Sequence, residues 1–126
     1  MRNNIATLIL FAVLLTTTPW QMTVGAVQTA PTIAAVSGKV AVGQRSNLRI
    51  EGSNFDPGSV EVVVFGGKCT TGCVVPNDVL AEDDGSITTT VLSAVPVTIN
   101  HPGTFEVAVR NGPQGRLSNR KTFTAQ

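Results

Sequence analysis

Two cysteines, one histidine and three adjacent acids are the residues of this 126-residue chain whose types and spacing could do chemistry. Cys69 and Cys73 enclose Thr70-Thr71-Gly72, an even pair whose spacing is not the Cys-x-x-Cys of a redox centre. In a secreted chain such a pair reads as a disulfide rather than two free thiols. A ring this small contributes about 2 kcal/mol by the chain-entropy model, a local staple. Zinc is not expected, because these two sulfurs and the distant His101 cannot complete four protein ligands. His101 is the only histidine, so any Ser-His-Asp or Cys-His mechanism must run through it. It lies between Asn100 and Pro102 in a turn, with no nucleophile elbow nearby, and reads as a solvated turn residue. Glu82-Asp83-Asp84 offers the hard oxygens that calcium takes, but without the Asp-x-Asp-x-Asp-Gly spacing of an EF-hand. Followed by Gly85, these acids read first as a solvated turn. No catalytic residue, metal or cofactor is therefore expected.

The elements that would carry these residues are strands. Leu48 and Ile50 alternate with Arg49 and Glu51, and Val60, Val62 and Val64 repeat the same inward face. Asp56-Pro57-Gly58 between them forces the chain to reverse or to change sheet. Pro31 to Val36 reads as an edge strand, broken at Ser37-Gly38-Lys39 and resumed at Val40-Ala41-Val42, so that one split strand can serve two sheets. Cys69 to Cys73 reads as a small loop, with Val74-Val75 a brief extension. Ile87-Thr88-Thr89-Thr90-Val91 reads as a strand from its β-branched residues, and Val95-Pro96-Val97 as part of the crossing after it. Phe105, Val107 and Val109 alternate with Glu106, Ala108 and Arg110. Asn111 to Gly115 is a hairpin loop, and Leu117 to Thr124 returns as the last strand. No segment has helical periodicity. The expected core is Leu48, Ile50, Val60, Val62, Phe105, Val107 and Phe123.

The first residues read differently. Arg2 precedes an apolar run from Ile5 to Leu15, and Val24-Gly25-Ala26 has the small-residue pattern of a signal-peptidase site. Residues 1–26 are thus expected to be a cleaved signal peptide, with cleavage after Ala30 and an uncleaved anchor as the competing readings. The run is short of the roughly 20 apolar residues a spanning helix needs. Removing residues 1–26 from 126 leaves 100, the size of one sandwich domain over 27–126. Loss of Arg2 reduces Lys plus Arg from 9 to 8, equal to the 8 Asp plus Glu. A neutral domain with no basic stripe excludes nucleic acid as the expected partner, since that binding exchanges clustered cations for condensed counterions. The only Trp is Trp20 and there is no Tyr, so the core relies on Val, Ile, Leu and Phe55, Phe65, Phe105 and Phe123.

Several blocks together resemble an IPT/TIG domain, the immunoglobulin-like fold of plexins, some transcription factors and many bacterial surface proteins. They are Pro31-Thr32-Ile33, Leu48 through Gly52-Ser53-Asn54-Phe55, Phe65-Gly66-Gly67, Pro102 to Val109, and Asn111-Gly112 followed by Ser118-Asn119 and Phe123. In the most specific block, Gly52 ends a strand, the Asn54 amide can hold a turn and Phe55 folds back into the core. The chain departs from the family pattern at Gly43-Gln44-Arg45, where a Gly-Gly is common, and in a long Lys68 to Ile87 region. The resemblance implies an all-β, immunoglobulin-like β-sandwich of two antiparallel sheets and about seven strands. It also implies a non-enzymatic module that binds proteins or carbohydrates or spaces other domains.

The combined expectation is a secreted module, extracellular or periplasmic, with no membrane insertion after signal cleavage and no specified oligomeric state. Its expected partner is a protein, the alternative being a surface polysaccharide. The absence of Trp and Tyr counts against sugar stacking. One mismatch suggests where a protein would bind. With Val60, Val62 and Val64 inward, strict alternation turns Glu61, Val63 and Phe65 outward, and with Ala108 the two apolar side chains form a candidate interaction patch. The competing reading is that a bulge near Gly66, or the Cys69 loop, covers Phe65.

Overall fold

The computed structural model describes residues 29–81 and 86–126, so the expected signal peptide and the Glu82-Asp83-Asp84 cluster lie outside the described residues. The described residues form seven strands in two antiparallel sheets. They are β1 (Thr32–Ser37), β2 (Arg45–Ser53), β3 (Val60–Gly66), β4 (Cys69–Val75), β5 (Val91–Thr98), β6 (Gly103–Asn111) and β7 (Lys121–Ala125). A helical turn, α1 (Asn77–Leu80), follows β4 and buries Leu80. One sheet has the order β1-β2-β5 and the other β4-β3-β6-β7, the arrangement of an immunoglobulin-like sandwich.

The period-2 pattern accounts for the core between the sheets. Leu48 and Ile50 of β2 face Val60, Val62 and Val64 of β3 and Phe105, Val107 and Val109 of β6 in one continuous cluster that also takes in Phe55 and Phe123. All seven expected core residues lie in it. Phe105 and Phe123 stack with ring centroids 5.7 Å apart, in register across β6 and β7. The Asp56 turn carries the chain from one sheet to the other. Its carboxylate accepts from the Gly58 N–H (3.2 Å) and the Ser59 hydroxyl (2.8 Å), while its carbonyl accepts from the Val60 N–H (2.8 Å). The first strand is split as expected. β1 pairs with β2, then Gly38 at φ +120° lets the chain cross over so that Val40 bridges Ala125 of the other sheet in parallel.

Five expectations are corrected. Thr88 to Thr90 bend instead of extending, because the Thr88 hydroxyl accepts from the Thr90 and Val91 N–H groups, and only Ile87 bridges back to Leu92. Local side-chain bonds of this kind compete with a sheet ladder. The strand therefore starts at Val91 and runs through Pro96, which is tolerated because β5 is an edge strand. The last strand begins only at Lys121. Ser118 is tied to Val109 by its N–H (2.8 Å) and hydroxyl (2.9 Å), and Leu117 stays exposed. Cys69 to Cys73 is strand rather than loop, although an irregular one, and α1 is a helical turn where none was expected.

Candidate interaction face of the four-stranded sheet

The outer face of the second sheet is built by register. β3 and β6 pair Glu61 with Arg110, Val63 with Ala108 and Phe65 with Glu106, so an apolar centre is flanked by charge at both ends. Arg110 donates through Nε to Glu61 Oε1 at 2.9 Å, a pair whose side chains are mostly buried. At the other end Arg120, just before β7, reaches across β6. Its guanidinium lies 3.8 Å from the centroid of the Phe65 ring, and its Nη1 donates to Glu106 Oε1 at 3.2 Å. Stacking a guanidinium on a ring is worth about 0.5–1 kcal/mol at a half-exposed site and covers the ring with the side-chain stem as well.

Val63, Phe65 and Ala108 do come together, in a small cluster separate from the main core. They are not open to solvent. Their exposures are 4%, 8% and 0%, which overturns the open patch. The cover comes from Arg120 on one side and from β4 on the other. Gly72 approaches so closely that an added Cβ would stand 2.7 Å from Val63 Cγ1 and 3.0 Å from Phe65 Cε1. Beyond this cover, Val74 of β4, paired with Val63, is the most exposed large apolar side chain among the described residues at 45%.

Cys69 and Cys73 are bonded, their Cα atoms 5.3 Å apart. Between Val64↔Cys73 and Gly66↔Cys69, β3 advances two residues and β4 four, so the disulfide closes a bulge of the edge strand. The competing reading of a bulge beside Gly66 thus describes how Phe65 is covered. His101 is exposed and borders a hollow of about 90 Å³ lined by Gly66 to Cys69, Thr98 to Asn100 and Phe105. That lining contains no carboxylate, and its one sulfur belongs to the disulfide. Among the described residues no three His, Cys, Asp or Glu side chains converge as a metal site.

Arg120, Gly72 and Val74 were not singled out by the sequence pattern. Their part in this face depends on which strands pair and in what register, and a lone arginine before a strand carries no such mark.

No family model and no curated protein matches the chain. The PKD domain of an M14-like peptidase from Thermoplasmatales archaeon SCGC AB-540-F20 is similar in structure at a TM-score of 0.39 and 17% identity. The match covers 79% of this chain and 97% of that one, and at that level it decides neither fold nor function.

Proposed function

We propose that this chain is a secreted, non-enzymatic interaction module of the IPT/TIG type, working outside the cytoplasm and binding a protein partner. The observation that carries this reading is the form of the four-stranded sheet's outer face. It is a broad surface with a covered apolar centre, charged pairs at both ends and Val74 exposed beside them. Such a mixed surface suits a protein partner better than a small molecule, which is bound in a concave apolar pocket. A sugar platform has less support, because Phe65, the only ring on this face among the described residues, lies beneath Arg120. The IPT/TIG assignment draws on the Gly52 to Phe55 block. Asn54 takes the left-handed conformation at φ +63° and Phe55 is buried at 2% exposure, although the turn is held by the Asn54 carbonyl accepting from Asn111 Nδ2 rather than by the Asn54 amide. A location outside the cytoplasm fits the Cys69–Cys73 bond and the apolar leader.

Photo-cross-linking tests the proposal. A cross-linker at position 74 should capture a protein from the native extracellular or periplasmic milieu, while one at Glu51, on the other sheet, should not. Equal capture at both positions, or none at position 74, overturns it.

A further inference from the structure

A sheet edge without a partner is a template for another strand, and three of the four edges here are capped at one or two residues each. On β1, the Asn119 side chain takes the place of a strand. Its Oδ1 accepts from the Ile33 N–H at 2.8 Å and its Nδ2 donates to the Ile33 carbonyl at 3.0 Å. On β7, Val40 bridges Ala125, with the Gln126 N–H donating to the Val40 carbonyl and the Val42 N–H to the Gln126 carbonyl. On β5, the Ser86 to Thr88 segment folds back, giving Ser93 N–H to the Ser86 carbonyl and Thr88 N–H to the Val91 carbonyl. Only the outer edge of β4 has no such cover among the described residues.

β4 also lacks the usual protections. Its sequence, Cys-Thr-Thr-Gly-Cys-Val-Val, contains no charge and no proline, so the bulge alone blunts it. The disulfide enforces that bulge. Residues four apart on an extended strand are separated by about 13 Å at about 3.3 Å per residue, whereas bonded cysteines need Cα atoms within about 7 Å. The observed 5.3 Å is incompatible with a straight β4. Once the bond is open, the hairpin can absorb the two extra residues by lengthening its loop from Gly67-Lys68 to Gly67 through Thr70. Four-residue hairpin loops are common. Phe65 would then face Gly72 and Gly66 would face Thr71, leaving Thr71 to Val75 as an unbroken edge that includes exposed Val74.

We propose that the Cys69–Cys73 bond is a redox-controlled guard on the β4 edge, and that opening it lets β4 pair antiparallel with β4 of a second copy. The partner is a second copy because self-pairing sets only Thr, Gly, Cys and Val opposite one another, with no like charges in register. Two-fold pairing of identical edges also closes on itself. An external thiol performs the opening. Two R–SH groups reduce the bond, leaving Cys69–SH, Cys73–SH and one R–S–S–R. This inference is independent of the protein-partner reading, since it concerns the strand edge and not the outer face.

Sedimentation velocity over a concentration series tests it, comparing the oxidised protein with C69A/C73A, in which no intermolecular disulfide can form. The oxidised protein should remain monomeric, and the double variant should dimerise about tenfold or more tightly. Adding Val74→Lys to the double variant should restore the monomer. A folded double variant that stays monomeric overturns the proposal, as does dimerisation unchanged by Val74→Lys. Circular dichroism checks the fold, and global unfolding of C69A/C73A also overturns it, because the guard acts on one edge only.

Discussion

At the residue scale, three asparagine amides tie distant backbone together. Asn119 holds Ile33, Asn111 accepts from the Asp56 N–H (2.9 Å) and donates to the Asn54 carbonyl (2.8 Å), and Asn77 donates to the carbonyls of Pro57 and Val60. An amide is suited to this because it offers a donor and an acceptor at backbone-like spacing. Replacing Asn119 by Ala leaves a part-buried N–H and C=O of Ile33 without partners and should cost about 2 kcal/mol. Urea denaturation measures it, and Asn119→Asp, which keeps the acceptor and loses the donor, should fall between Ala and the native residue. Asn119 and Asn111 both stand in blocks legible in the sequence, but their roles are not. The partner of Asn119 lies 86 residues away, and no local pattern encodes that distance. Gly52 is similar. The Thr32 carbonyl passes so close that a Cβ would overlap it, a constraint set by β1 and not by the Gly-Ser-Asn-Phe block itself.

At the element scale, alternation made β2, β3 and β6 readable, because each has one face in the core and period 2 records that directly. Phe105, 6% exposed and stacked on Phe123, is the residue on which this reading depends most heavily. Phe105→Ala should destabilise by ~3–5 kcal/mol through lost transfer energy and the cavity left behind, a large share of the stability of a small domain. A loss below about 1 kcal/mol in chemical denaturation contradicts the burial described here. Elements whose formation hangs on side-chain bonds were misread. The Thr88 hydroxyl turned a strand-like run into a bend, and Ser118 held the chain out of β7 until Lys121. The outer cluster was half legible. Parity brought Val63, Phe65 and Ala108 together, but their cover depends on Arg120 and Gly72, which pairing alone brings near.

At the scale of the whole molecule, a single core of aliphatic side chains and phenylalanine suffices for the sandwich, and no Trp or Tyr occurs after residue 26. Cleavage of the expected signal peptide can therefore be followed optically as well as by mass. Secreted protein should have an intact mass that lacks residues 1–26, and it should have lost the tryptophan emission of Trp20. A secreted species that retains both contradicts the signal-peptide reading. The distribution of strands between sheets became legible only through the Asp56 turn and the crossover at Gly38, where local chemistry permits several paths and the packed core selects one.

The parallel contact between Val40 and Ala125 bears on how the molecule responds to tension. The described chain begins beside Asn111, at one end of β6, and finishes at Gln126, next to Ala125, which pairs with Gly103 at the other end. A pull on these two points runs lengthwise through the sandwich, and the shortest load path goes along β1 to Val40 and across to Gln126. There the two hydrogen bonds of 3.0 and 3.1 Å lie across the pull, so they are loaded together in shear instead of opening one after the other. In single-molecule stretching from residues 29 and 126, rupture should begin at this bridge. Val42→Pro, which removes the N–H bonded to Gln126, should lower the rupture force while leaving the opposite sheet edge, at β4, unaffected.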